Sequence, residues 1–257
     1  MTASQIRIPE YAQVQSQVAS TALGSTHVKT NAITARGVEM VFQSGAERFY
    51  ALKDIDLDIQ RGDIYLLMGP SGSGKTTLLS ILAGILTPSR GSVHLLGQEI
   101  TKMSRTQLAQ FRLENIGFIF QGFNLFPALT ALENVELALK VKGLRGRNNR
   151  RHQAQNLLEQ VGLQDKVRLL PRELSGGQQQ RVAIARALAG DPPLIMADEP
   201  TAALDSRSGH AVIELLRNLA KEGGRTVLMV THDPRIMDVA DQVVNLEDGM
   251  LNQQYAA

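Results

Sequence analysis

GPSGSGKT, Gly69 to Thr76, stands between an unbroken apolar run and an apolar helical repeat, and few folds accommodate that junction. The run before it, DIYLLMG (Asp63 to Gly69), is short and ends in glycine. That pattern predicts a strand buried on both faces that feeds a loop. The stretch after it, KTTLLSILAGI, has helical spacing. A buried strand that turns through glycines into a helix begins a strand–helix–strand unit, and so a parallel sheet.

The rest of the chain fits that start. From Gly37, GVEMVF and LKDIDLDI alternate as strands do, GSVHLLGQEI returns to strand, and SRTQLAQFRLEN is helical. IGFIF (Ile116 to Phe120) predicts a buried strand. Residues 131 to 190 are almost wholly helical in pattern, broken at KGLRGRNN and LLPREL. PLIMAD, RTVLMVTH and DQVVNL then predict buried strands separated by helices. The expected fold is α/β, a parallel sheet with an inserted helical lobe. Residues 1–33, rich in Gln, Ser, Thr and Ala, predict a mobile N-terminal tail. The domain is expected over 34–250, with its helical part at about 122–190 and a C-terminal tail at 251–257.

Composition narrows the chemistry. Of 257 residues, 43% are hydrophobic and 20% charged, with a formal net charge of +2 and 4% aromatics, so nothing favours a nucleic-acid partner. There is no cysteine, which excludes disulfides and thiolate metal sites. The 5 histidines (His27, His94, His152, His210, His232) lack the spacing of a zinc site. No apolar run approaches the roughly 18 residues of a membrane span, and the N-terminus has no apolar core of signal-peptide type. The expected location is cytoplasmic, with any membrane link made through a partner.

Gly69 to Thr76 matches G-x-x-x-x-G-K-[ST], the P-loop pattern of nucleoside triphosphate binding. Gly69, Pro70, Ser71, Gly72, Ser73, Gly74, Lys75, Thr76 and Thr77 are therefore the expected cradle. Gly72 and Gly74 permit backbone angles that aim N–H groups inward as a nest for phosphate. Lys75 offers a point charge to the outer phosphates, and Thr76 a hydroxyl to Mg²⁺.

Three further strand ends carry polar residues. LIMADEP places Asp198 and Glu199 after an apolar strand. A carboxylate there holds Mg²⁺ in P-loop proteins. A second carboxylate beside it is costly near a polyphosphate, and orienting or deprotonating the attacking water is the task that would justify it. His232 ends another strand, where it could meet the γ-phosphate or the water, and Gln121 follows IGFIF, where its amide could ligate Mg²⁺ or position water. Ligands of open parallel sheets collect at such strand ends.

LSGGQ (Leu174 to Gln178) then poses a problem, because it predicts a second phosphate cradle. Ser175 and Gln178 have capping-box spacing, so a helix is expected to begin at Ser175. Gly176 and Gly177 leave its N-terminus bare, where N–H groups and the helix dipole favour an anion.

Taken together, GPSGSGKT, Gln121, LSGGQ, LIMADEP, Leu204–Asp205 and THD resemble the nucleotide-binding subunit of an ATP-binding-cassette transporter, over roughly residues 35 to 250. The resemblance implies a RecA-like P-loop core with an antiparallel β subdomain and an inserted helical subdomain. It implies ATP and Mg²⁺, with Thr76, Gln121 and Asp198 on the metal, Glu199 as the catalytic carboxylate, His232 as the switch histidine and Asp205 as the aspartate linking two sites. Adenine would stack on Phe42, where the family often has tyrosine, with Phe49 and Tyr50 near it. The resemblance also resolves the second cradle: two subunits pair head to tail, with ATP between the P-loop of one and Ser175, Gly176, Gly177 and Gln178 of the other.

FIFQGFNLFPALTALENVELAL is similar to the lipoprotein-release, macrolide-export and cell-division group, and to the ATPase of a cyanobacterial glycolipid exporter. That implies a membrane permease, a periplasmic adaptor, an outer-membrane channel and a place at the cytoplasmic face of the inner membrane. Phe123, Leu125 and Phe126 are expected to line a groove for a permease helix. The basic run Lys140 to His152 predicts a solvated loop and helix start. A cassette acting without a permease, in DNA repair or translation, would carry coiled-coil inserts, zinc cysteines or a second cassette, and none is present. A small-molecule kinase conflicts with LSGGQ.

Overall fold

The computed structural model describes residues 30–45 and 47–256, so most of the N-terminal tail expected at 1–33 lies outside the described residues. Two sheets form among them. One is antiparallel, in the order β2 (Glu47–Gln60), β1 (Asn31–Ser44), β4 (Arg90–Leu95), β5 (Gln98–Glu99). The other has the order β10 (Met250–Ala256), β9 (Gln242–Glu247), β3 (Ile64–Met68), β8 (Thr226–Val230), β7 (Leu194–Asp198), β6 (Ile116–Ile119). It is parallel except for β10, which runs antiparallel to β9. Strands β1 and β10 extend past the bounds of 34 and 250 taken from the sequence.

Every residue of β3 is buried, and the strand period of two divides them. Ile64, Leu66 and Met68 enter one hydrophobic core; Tyr65 and Leu67 enter the other. Strand β8 splits likewise, Val227 and Met229 against Leu228 and Val230. The first core is closed by α3 (Ala131–Val141), α4 (Arg147–Gln160), α5 (Gly176–Ala187) and α6 (Ser206–Gly223). The second holds α1 (Lys75–Leu82), Phe111 of α2 (Arg105–Asn115) and the antiparallel sheet. A strand covered on both sides must be apolar throughout, which is why DIYLLMG is legible as one.

Local signals set the helix starts. Ser104, Thr130 and Ser175 each accept from the N–H three residues on, and each has a Gln or Glu at that position reaching back. One expectation fails. GSVHLLGQEI is not one strand but a hairpin: β4 turns at Leu96 (φ 52) and Gly97 (φ 84) into β5. Positive φ at both central residues is what a tight hairpin turn requires, and a leucine in the first place conceals it.

Between β6 and α3 the chain runs irregularly and is pinned by Asn134, which is fully buried in α3. Its Oδ1 accepts from Phe126 N–H at 2.8 Å, and its Nδ2 donates to the carbonyls of Phe126, Leu129 and Thr130 at 3.2, 2.9 and 3.0 Å. Asn134→Leu keeps the volume and removes every one of these bonds. It is expected to cost about 2–4 kcal/mol in urea unfolding; a loss within experimental error would show that the loop is held some other way.

Candidate functional site

The glycine-rich loop leaves β3 at Gly69 and enters α1 at Lys75, with Gly74 as the helix N-cap at φ 105. Its glycines answer to packing as much as to phosphate. Gly69 has φ 143, and a Cβ there would overlap the Leu246 carbonyl at the end of β9. A Cβ on Gly74 would come within 2.6 Å of the Ala51 carbonyl. Gly72, at φ 81, faces open space. Lys75 is buried and donates to the carbonyls of Gly69 and Pro70 at 2.8 and 2.7 Å, which aims its charge into the loop.

A cavity of about 610 Å³ opens beside the loop, within the size range of ligand pockets. Pro70, Ser71, Gly72, Gly74, Lys75, Thr76 and Thr77 line its floor, and Gln121, Glu199 and His232 line its far wall. Strand β6 ends two residues before Gln121, β7 ends at Asp198, and β8 ends two residues before His232, so the parallel register delivers all of them to one edge. Gly69, Ser73 and Asp198 are not among the lining residues; Ser73 is buried.

Thr76 Oγ1 donates to Asp198 Oδ1 at 3.1 Å. Burial raises the Asp198 pKa above the ordinary aspartate value; the Thr76 bond opposes this, the Glu199 charge adds to it, and Lys75 opposes it. A hydroxyl, a carboxylate and the Gln121 carboxamide are hard oxygen donors, and a desolvated carboxylate gains from a cation; the set fits Mg²⁺. Glu199 sits at φ 46, a left-handed backbone that is uncommon for a side chain of its size. Its N–H donates to the Val230 carbonyl at 2.9 Å, so β8 holds the strained residue in place. Glu199 Oε1 meets His232 Nδ1 at 2.8 Å.

Phe42 lines the same cavity, 42% exposed. Phe49, 64% exposed, lies directly opposite it across β1 and β2 and also faces the cavity. The sequence pointed to Phe42 and only placed Phe49 nearby; the pairing depends on hairpin register, which local pattern does not reveal.

LSGGQ is elsewhere. Ser175 caps α5, with Gln178 N–H on its Oγ at 3.3 Å and its own N–H on Gln178 Oε1 at 3.0 Å. Ser175, Gly177 and Gln178 border a different cavity of about 220 Å³, which shares no lining residue with the first. Gly177 also has an internal reason, whereas a Cβ on Gly176 would make only ordinary contacts. A Cβ on Gly177 would meet Ser208 Cβ at 3.0 Å, and one on Gly176 would lie 3.4 Å from Leu204 and 3.5 Å from the Ala203 carbonyl. Asp205 caps α6, accepting from the N–H groups of Arg207 and Ser208 at 3.1 and 3.0 Å. Those backbone bonds hold its pKa below the ordinary range.

Of the expected groove, Phe126 is 53% exposed, whereas Leu125 packs against the core and Phe123 approaches Gly176. Among the described residues no helix is long and apolar enough to cross a membrane, and no cluster of three or more His, Asp or Glu could hold a metal.

A parallel sheet whose central strand delivers a lysine loop to an acid-bearing edge is the build of a P-loop nucleoside triphosphatase. Residues 52–202 match the family described as ABC transporter. Over 225 residues the chain is 43% identical to MJ0796, an uncharacterized ABC transporter ATP-binding protein of Methanocaldococcus jannaschii, covering 86% of this chain and 96% of that one. A dimeric post-hydrolysis structure of MJ0796 bound to ADP and Pi matches with a TM-score of 0.81 at 42% identity, over 87% of this chain and 98% of that one. The macrolide export ATP-binding/permease protein MacB 1/2 of Paracoccus denitrificans is 48% identical over 219 residues, 85% of this chain but 32% of that protein. The structure of cbiO1 from Clostridium perfringens, part of the ABC transporter complex cbiONQ, has a TM-score of 0.79 at 29% identity, over 88% of both chains. The chain belongs to the ABC transporter family and is an ATPase of its ATP-binding-cassette type.

Asp198→Asn tests the electrostatics. The folded carboxyl binds its proton more tightly than the unfolded one, so ionisation costs stability above the folded pKa and nothing below the ordinary value of 3.8. The variant is expected to raise the thermal midpoint of the nucleotide-free protein by about 1–2 °C near neutral pH, a small gain because solvent screens a half-buried charge. The gain should shrink as pH falls toward about 4. A pH-independent gain would assign the effect to packing.

Proposed function

We propose that this chain is the ATP-hydrolysing subunit of an exporter, pairing head to tail with a second copy and driving a separate membrane permease at the cytoplasmic face of the inner membrane. One observation carries the pairing: the lysine loop and the Ser175 helix tip border separate cavities in one chain. The loop and the tip of its own chain share no cavity, and a second copy can bring its tip to a triphosphate on the loop. The dimeric form of MJ0796 is consistent with this. Likeness to a macrolide export ATP-binding/permease protein supports export and work with a permease. A periplasmic adaptor and an outer-membrane channel are further partners that we propose from the resemblance of FIFQGFNLFPALTALENVELAL to an export group.

The chemistry follows from the wall of the cavity. Adenine lies against Phe42, with Phe49 beside it. Lys75 and the loop N–H groups bind the phosphates, and the partner's Ser175 and Gly177, as the tip of a helix, bind the γ-phosphate from the other side. Thr76, Gln121 and Asp198 would hold Mg²⁺, which would supply positive charge beside the phosphates. Glu199 orients the attacking water and takes its proton, and His232 fixes the Glu199 carboxylate through the 2.8 Å contact. Asp205 keeps α6 and the neighbouring tip in register. Closure on ATP and opening after hydrolysis are what the permease senses, with Phe126 the exposed contact.

Glu199→Gln tests both halves of this reading. It is expected to retain ATP binding and lose roughly 10²-fold or more in turnover. With ATP it should sediment as a dimer. A strictly monomeric ATP-loaded variant would overturn the pairing; near-normal turnover would place the base on another residue. Phe126→Asp should fold normally and fail to retain the permease in a pull-down, and normal retention would move the contact away from this loop.

A further inference from the structure

The segment from Gln121 to Thr130 has no regular structure, yet both of its halves are tied to the helical subdomain. Asn134 holds the second half from α3. The first half is held from α5. Arg186, in the last turn of that helix, donates Nη2 to the Phe123 carbonyl at 2.9 Å and Nη1 to the Asn124 carbonyl. One planar guanidinium thus grips two successive peptide oxygens, a geometry that a lysine cannot reproduce. Asn124 has φ 49, a left-handed backbone that asparagine tolerates.

This placement is costly. Burial pulls the Arg186 pKa below the ordinary arginine value. Carbonyl hydrogen bonds return only part of the free energy of desolvating a guanidinium. The gripped carbonyls follow Gln121 in the chain with only Gly122 between, and Gln121 lines the lysine-loop cavity. Gly122 offers no side chain to pack, and a Cβ there would meet nothing closer than Asn124 Oδ1 at 3.9 Å. The nearest fixed points on either side of Gln121 are therefore the end of β6 and the Arg186 fork.

We propose that Arg186 is a positioning residue for ATP hydrolysis, setting the Gln121 carboxamide in the cavity by fixing the Phe123 and Asn124 carbonyls. It does so from the far end of the helix whose first turn follows Ser175. The proposal rests on the role given to Gln121 above. Arg186 does not line the lysine-loop cavity and acts only through the peptide.

A double-mutant cycle on steady-state ATP turnover tests it in the full-length protein. Arg186→Lys keeps a charge and loses the fork. It is expected to lower kcat about tenfold, with the KM for ATP within about threefold, because misplacement costs turnover while the lysine loop still binds. Gln121→Ala should lower kcat as well, and adding Arg186→Lys to it should produce no further loss. If the two losses multiply, or if Arg186→Lys turns over normally, the proposal is wrong. Normal turnover in Gln121→Ala overturns the role of Gln121 and the proposal with it, so the two failures are distinguishable. Should Arg186→Lys not fold, Arg186→Gln, which buries no charge, takes its place under the same criteria.

Discussion

Strand β3 lies inside the parallel sheet with its side chains divided between two cores, and the site hangs from that placement. A slip of one residue would exchange its side chains between two differently packed cores and draw Asp63 or Gly69 into the strand. Its carboxyl end is therefore a fixed point. Gly69 starts there, wedged against the Leu246 carbonyl, and the loop has one path into α1. Strands β6, β7 and β8 run parallel and in register beside it, so their ends face the same space. Gln121, Glu199 and His232 meet at the cavity, with Asp198 joined to it through Thr76, because the hydrogen-bond ladder puts them there.

That rigidity lets the site hold groups that would be unfavourable elsewhere. Asp198 is desolvated beside a second carboxylate. Glu199 keeps a left-handed backbone, and Lys75 is buried. Each costs free energy in isolation. All three are anchored to strand ends or to a helix start, where backbone bonds such as Glu199 N–H to Val230 over-determine their positions. Under the proposed function, a cation would offset the repulsion between the carboxylates and phosphate would offset the burial of Lys75, which is preorganisation in the electrostatic sense.

Helix α5 joins this edge to the rest of the molecule. Its N-terminus is the Ser175 tip, its apolar face enters the core, and Arg186 near its C-terminus grips the loop after Gln121. Contacts at either end bear on one rigid element. Gly177 against Ser208 and Gly176 against Ala203 extend the linkage to α6 and to the Asp205 cap.

Local chemistry was enough to determine much of this from the sequence: the buried strands, the lysine loop, the acids at the end of β7 and the cap at Ser175 all depend on residues adjacent in the chain. The turn at Leu96 and Gly97 escaped because leucine rarely signals positive φ. Only the tertiary structure decided that Phe49 faces Phe42, that Thr76 binds Asp198, that Glu199 meets His232, that LSGGQ borders a cavity of its own and that Arg186 holds Phe123. Each of these joins residues distant in sequence or depends on strand register, and such proximity exists only after both cores have closed and fixed where the strand ends and helix termini lie.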